Sequence, residues 1–274
     1  MGELRGAGEP GELLALATDA ATAAARLVRE ERPRGGLEVT ATKSSATDIV
    51  TVMDQRAEAL IVERISAARP DDGFLGEEGA ERAGTSGVTW VVDPIDGTVN
   101  YLYEIPAYAV SVAARVDGRV VAGAVVNPAS GETWTAERGT GAWLDGRPVR
   151  VNAAPDLAMA LVATGFGYAP ARRARQADIL RALIPQVRDV RRAGAASLDL
   201  CAVATGRVDA YYEQGLKPWD LAAGGLVAEE AGAVVGGLHG REAGEALVVA
   251  APRGLFEPLT DLLAGLDADR LVEG

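Results

Sequence analysis

The stretch 108–127 constrains the fold more than any other. Two runs of small and β-branched residues, YAVSVAARV (108–116) and RVVAGAVVN (119–127), flank Asp117-Gly118. Both turn residues tolerate positive φ, so the segment reads as a β-hairpin. A shorter apolar run, VTWVV at 88–92, reads as a buried strand ending at Asp93. Further short strands are expected at 132–136, 141–144 and 159–164.

Helical spacing appears on either side. Leu13, Leu16, Ala17, Ala20, Ala24, Leu27 and Val28 share one face of a helix over 11–31, between Pro10 at its start and Pro33 at its stop. Ala57, Leu60, Ile61, Ile65 and Ala68 form the buried stripe of a second helix over about 52–68. The second half alternates. Helices are expected near 171–183, 195–204, 218–231 and 254–264, with strands at 187–191, 208–212 and 246–250. That is an α/β pattern. No low-complexity linker or repeat breaks the 274 residues. A single domain is expected, with a subdomain boundary near 150 and both halves closing one site.

Composition removes several chemistries. One cysteine, Cys201, and one histidine, His239, exclude an intrachain disulfide and a Cys/His zinc site. A Ser-His-Asp triad would need His239, which sits in GGLHG and reads as a surface loop. A net charge of -12 argues against a nucleic-acid groove. Arg172, Arg173 and Arg175 read as the solvated face of a helix rather than a binding patch. No apolar stretch reaches membrane-spanning length, and MGELRGAGEP carries no signal-peptide core, so a cytoplasmic protein is expected. Lysine occurs only at 43 and 217, which weakly marks both as functional candidates.

Cys201 through Arg207 has the C-x5-R spacing of cysteine phosphatases, but the local order is reversed. LDLCAVA reads as a buried helix with Gly206 at its C-cap, so Cys201 reads as core. A haloacid-dehalogenase-type site fails because Pro94 stands two positions before Asp96. Gly165-Phe166-Gly167 lacks the third glycine of a dinucleotide fingerprint.

Asp93-Pro94-Ile95-Asp96-Gly97-Thr98 carries the strongest chemical signal. It places two carboxylates together at the end of a strand, and both stay ionised only with a cation between them. The amides of Gly97 and Thr98, at the start of a short helical turn, can bind phosphate oxygens. Alone the hexapeptide also fits a surface turn. Glu77, in Gly76-Glu77-Glu78, fits an exposed acidic loop. Asp220, after Pro218-Trp219, fits the acidic first turn of a helix. Asp54, three residues after Thr51, fits a capping box. Together they assemble an oxygen-only ligand set suited to Mg²⁺.

These motifs, in this order, resemble the inositol monophosphatase family of magnesium-dependent, lithium-sensitive sugar phosphatases. The resemblance rests on Lys43-Ser44-Ser45 with Thr47 to Thr51 and Asp54; Gly76-Glu77-Glu78; Asp93 to Thr98 with Asn100-Tyr101; Gly206 to Glu213; and Trp219-Asp220 with Ala222-Ala223-Gly224. It implies a layered α-β-α-β-α sandwich and hydrolysis of a small phosphate monoester. Inositol monophosphate is the first expected substrate, and histidinol phosphate and fructose 1,6-bisphosphate are the alternatives. A reading from another class is a regulatory partner of the transcription or translation machinery.

The resemblance also implies residue roles. Glu77, Asp93 and the Ile95 carbonyl would hold one Mg²⁺, and Asp93, Asp96 and Asp220 a second, with a third, weaker ion near Glu77. Thr98 and Asp54, with Glu77 in the catalytic set, would orient and deprotonate the attacking water. The Gly97 and Thr98 amides would grip phosphate, and Ile95, Asp96 and Asp220 would also meet the substrate. Gly194, Ala195, Ala196 and Glu213 would read its hydroxyl-bearing end, and Lys43 would lie on a mobile loop near the mouth. Where the family often has Ser or Thr, this chain has Ala195, and the hydroxyl comes later, at Ser197. A homodimer and inhibition by Li⁺ are implied too.

Overall fold

The computed structural model describes residues 8–32, 39–42 and 49–272, with side chains for all of these except 39–42, 49 and 50. Lys43 to Asp48 and Pro33 therefore lie outside the described residues. Helix α1 (Pro10–Glu30) carries Pro10 in its first turn, where the missing N–H has no intrahelical partner to lose. It buries Leu13, Ala17, Ala20, Ala24 and Val28, with Leu16 and Leu27 at the edge of the stripe. An antiparallel pair, β1 (Val39–Thr42) and β2 (Ile49–Thr51), precedes α2 (Val52–Ala68). The α2 stripe is narrower than expected. Ala57, Ile61 and Ile65, spaced by four, are buried, while Leu60 is half-buried and Ala68, at the helix end, is exposed.

Eight strands follow: β3 (Gly73–Gly76), β4 (Glu81–Arg82), β5 (Val88–Asp96), β6 (Ala109–Val116), β7 (Arg119–Val126), β8 (Thr133–Glu137), β9 (Gly141–Leu144) and β10 (Arg147–Pro148). They form one sheet in the order β10-β9-β8-β7-β6-β5-β3-β4. The β6–β7 hairpin turns at Asp117 (φ 49) and Gly118 (φ 80), as the sequence predicts. Strand β5 corrects the expectation that it ends at Asp93. It runs on to Asp96, and its pairing with β6 skips from Asp93 to Asp96 across a bulge. Pro94 has no N–H to give the ladder, so the chain kinks there and pairs again two residues later.

A short helix, α3 (Thr98–Leu102), leaves this sheet. The second half builds β11 (Leu161–Thr164), α4 (Pro170–Leu183), β12 (Asp189–Arg191), α5 (Ala196–Ala204), β13 (Ala210–Glu213), α6 (Pro218–Glu230), β14 (Ala233–Gly236), β15 (Val248–Pro252) and α7 (Arg253–Ala264). Its sheet has the order β12-β11-β13-β15-β14, with β11 parallel to both β12 and β13 and β15 antiparallel to β13 and β14. Strand β14 was not anticipated, because four residues directly after a helix carry too little periodicity.

Strand side chains alternate between faces, and here both faces are apolar, so each sheet must be covered twice. On β5, Trp90 and Val92 pack with α1 and α2, while Val91 faces the other way onto α6. On β15, Val248 and Ala250 pack toward α5 and α6, while Val249 and Ala251 meet Leu255, Leu259 and Leu263 of α7 and Ile179 and Leu183 of α4. The layers are therefore α1/α2, the eight-stranded sheet, α5/α6, the five-stranded sheet, and α4/α7. This is the expected α-β-α-β-α sandwich. Gly224 lets α5 and α6 approach closely: a Cβ there would lie 3.0 Å from the Ser197 carbonyl oxygen. Among the described residues no helix is long and apolar enough to cross a membrane.

Candidate active site

The bulge in β5 creates the centre of the site. Strands β3 and β5 are parallel, and their carboxyl ends deliver Glu77 and Asp93 side by side. Within the bulge the Ile95 amide donates to Asp93 Oδ1 at 3.0 Å. Gly97 then takes a left-handed conformation (φ 90) that starts α3. A Cβ at Gly97 would lie 3.0 Å from the Ala107 carbonyl oxygen and 3.1 Å from that of Gly194. Asn100 ties this turn to the second half, its Nδ2 donating to the Ala107 and Ala193 carbonyls at 2.7 and 2.8 Å.

Asp93, Asp96 and Asp220 each offer a carboxylate oxygen, and these lie within 4.8 Å of one another. Asp93 is 1% and Asp96 8% exposed, far below what an unpaired carboxylate tolerates. Burial pushes Asp93 well above the usual carboxylate range, and Glu77, Asp96 and Asp220 push it further. Asp220 is raised well above its ordinary value by burial, then by Asp96 and Glu77. The whole set can ionise together only with positive charge among them. Hard oxygen donors, close and buried, fit a divalent cation such as Mg²⁺.

Each ligand candidate is held by a second function of the backbone. Glu58 of α2 accepts the amides of Glu78 and Ala80, both at 2.9 Å, and so fixes the loop that carries Glu77. Asp96 caps α5 from the opposite half of the chain, accepting Ala196 N at 3.2 Å and Ser197 N at 2.7 Å. The Ser197 hydroxyl donates to the same carboxylate. Asp220 accepts Lys217 N at 2.6 Å at the start of α6. Asp54 does form the expected capping box with Thr51. Its second oxygen, Oδ1, accepts the Thr98 hydroxyl at 3.0 Å. Asp54 is fully buried and adjoins the cleft through Thr98, and burial raises its pKa.

A cleft of about 610 Å³ joins these groups to Gly194, Ala196 and Glu213. Ala195 is buried behind that wall, and the hydroxyl of Ser197 is committed to Asp96. Tyr211 Oη donates to Glu213 Oε2 at 2.7 Å, and burial lifts the Glu213 carboxyl to about 7. The cysteine-nucleophile reading stays excluded: Cys201 is buried inside α5, and burial raises its thiol well above the ordinary value. His239 is exposed in a turn.

The reading of Arg172, Arg173 and Arg175 as one solvated helix face holds for Arg173, which is exposed, and is corrected for Arg172 and Arg175, which are half-buried. Arg173 donates to the Gly167 carbonyl, and Arg175 braces a loop through the Leu266 carbonyl. Arg172 is half-buried and lines the cleft, which the exposed Arg192 also lines. Their basic cluster looked like surface because nothing in the sequence tells which side of α4 faces a cleft. Glu58 was missed as well, although a glutamate between Ala57 and Ile61 on an apolar face was a usable signal.

Residues 9–269 match the sequence profile of the inositol monophosphatase family. The chain is 48% identical over 271 residues to "Inositol-1-monophosphatase" of Mycobacterium leprae, covering 92% of this chain and 93% of that protein. It is 40% identical over 224 residues to "Nus factor SuhB" of Vibrio cholerae, covering 80% and 84%. Its fold is similar to the solved structure of Mycobacterium tuberculosis SuhB, with a TM-score of 0.82, 43% identity and coverage of 96% and 100%.

Proposed function

This chain belongs to the inositol monophosphatase family and is a phosphoric monoester hydrolase, and on that premise we propose that it converts an inositol monophosphate to inositol and phosphate with Mg²⁺ as cofactor. The observation that carries the proposal is the convergence of Glu77, Asp93, Asp96 and Asp220, from three separate segments, on one cleft. Glu77, Asp93 and the Ile95 carbonyl are assigned to one ion, and Asp93, Asp96 and Asp220 to a second, with a third ion assigned near Glu77. When bound, the cations supply Lewis-acid charge to the phosphoryl group and the leaving oxygen.

The chain's own groups do the rest. The Thr98 hydroxyl has one proton and two acceptors at 3.0 Å, Asp54 Oδ1 and the Ile95 carbonyl. Donating to Asp54 leaves its oxygen lone pairs free to accept from the attacking water. Asp54 Oδ2 is already held by the Thr51 amide, so only Oδ1 is available to receive the proton that passes through Thr98. Burial, which raises Asp54, favours that transfer. The Gly97 and Thr98 amides are assigned to phosphate oxygens. Gly194, Ala196 and Glu213, oriented by Tyr211, are assigned to substrate hydroxyls.

Phosphate release from myo-inositol 1-phosphate, histidinol phosphate and fructose 1,6-bisphosphate, with and without Mg²⁺, tests the assignment. Highest kcat/KM on the inositol ester supports it, and a steep preference for another ester overturns the substrate while keeping the chemistry. Similarity to a protein named as a Nus factor supports a second reading, a regulatory role beside or instead of hydrolysis. That reading gains if wild type and Asp93→Asn are equally inert on every ester. Family membership also supports a homodimer and Li⁺ inhibition, which light scattering and a LiCl titration test.

A further inference from the structure

Gly165 follows directly on β11 and lines the cleft. Its φ lies outside the left-handed region, so the backbone there does not call for glycine. The reason lies on the neighbouring strand. β11 and β13 run parallel, with Ala163 beside Tyr211 and Thr164 beside Tyr212. One residue further along both strands, Gly165 comes beside Glu213. The Glu213 side chain folds over it. A Cβ on Gly165 would lie 1.9 Å from Glu213 Oε2, 2.2 Å from its Cδ and 2.3 Å from Oε1. Non-bonded atoms in a packed interior do not approach that closely, so any side chain at 165 displaces the carboxylate. Glycine at a strand end marks such a close approach.

Glu213 is held from its own strand as well. Tyr211 and Glu213, in alternate positions on β13, share one face of the strand. The buried Tyr211 hydroxyl donates its one proton to Oε2 at 2.7 Å. Among the described residues nothing donates to Oε1. One oxygen of the carboxylate is therefore occupied, and the other remains for a ligand in the cleft that Glu213 lines. We propose that Gly165 is a specificity-determining residue of the hydrolysis. Its bare Cα is the seat on which Glu213 lies, and with Tyr211 holding Oε2 the carboxylate offers Oε1 to a hydroxyl of the leaving alcohol. The inference rests on the phosphatase reading and deepens it: at this position the absence of a side chain, not the presence of one, separates polyol esters from esters without hydroxyls.

The test compares myo-inositol 1-phosphate with cyclohexyl phosphate, the same ring without hydroxyls, in the presence of Mg²⁺. Wild type should prefer the inositol ester. Gly165→Ala should lower kcat/KM for that ester at least about tenfold, the size of one lost hydrogen bond to a charged group, and should do so through KM. Cyclohexyl phosphate should stay within about twofold of wild type. In a Glu213→Ala background the added methyl has nothing to displace, so Gly165→Ala should then change neither ester. Tyr211→Phe should give a smaller loss, again on the inositol ester alone, and it probes the same carboxylate if the alanine variant does not fold. Equal losses on both esters, a wild type that takes both equally well, or a Gly165→Ala effect undiminished without Glu213 would overturn the assignment. If wild type hydrolyses neither ester, the phosphatase reading fails instead. Calorimetric affinities of the two intact esters for wild type and Gly165→Ala then decide whether Gly165 governs hydroxyl binding.

Discussion

Thr98 Oγ1 lies 3.0 Å from Asp54 Oδ1 across 44 residues of sequence, so one hydroxyl joins the turn after β5 to the start of α2. If that contact positions the attacking water, Thr98→Ala should lower kcat by 10²-fold or more, roughly the size of a lost proton-transfer group. Mg²⁺ affinity should stay within about twofold, since Thr98 is not among the assigned ligands. A matched loss of metal affinity, read by calorimetry, would make Thr98 a structural prop of the loop.

Glu58 is a positioning residue for Glu77. Its carboxylate holds the amides of Glu78 and Ala80. Glu58→Ala should raise the Mg²⁺ concentration for half-maximal activity by about tenfold, the lower range for a group that orients a metal ligand. Activity at saturating Mg²⁺ should largely recover. A collapse of kcat that excess Mg²⁺ does not restore would place Glu58 elsewhere in the account.

Much of this was legible in the sequence, for identifiable reasons. The β6–β7 hairpin announced itself through Asp117-Gly118, and α1 through a long apolar stripe with Pro10 at its start. Asp93, Asp96 and Asp220 stood out because carboxylates beside Pro and Gly at element ends are rarely needed for packing. What stayed hidden depended on partners far along the chain. Nothing near Arg172 reveals that Gly215 clears its path, and nothing near Ser197 reveals that its hydroxyl goes to Asp96. The bulge at Pro94 was readable from the missing N–H, yet the resumption of pairing at Asp96 required β6 to be in place.

Asp72 holds the opposite end of β3 and β5 from the site. It is 1% exposed and accepts Trp90 Nε1 at 2.8 Å and Ser86 Oγ at 2.6 Å, beside the Arg69 guanidinium. Asp72→Ala strands those donors, and breaking such a buried pair costs about 3 kcal/mol. Thermal melts should show Tm lower by roughly 6–12 °C. Below that transition kcat should be unchanged, because the site lies at the strands' carboxyl ends.

Stability of the metal-free protein should fall as pH rises. Burial, and then Glu213, lift Asp199 to about 8, and burial lifts Glu213 to about 7. Between roughly pH 4 and these values the folded protein holds protons that the unfolded chain has released. Folding is therefore favoured at the acid end of that window and weakened as pH climbs through about 7 and 8, by at most about 1.4 kcal/mol per pH unit per group. Melts in chelator from pH 5 to 8.5 should show this decline, and Asp199→Asn should flatten it. A Tm that rises steadily over the same range would contradict it.

The convergence of Glu77, Asp93, Asp96 and Asp220 on shared cations is tested most directly by diffraction from crystals soaked in Mn²⁺, with data collected at the manganese edge. The expected result is anomalous density at coordination distance, about 2.2 Å, from Asp93 and at least one of its three partners, absent in Asp93→Asn. Strong density elsewhere on the protein and none among these carboxylates, in crystals whose dissolved protein still releases phosphate, would contradict it.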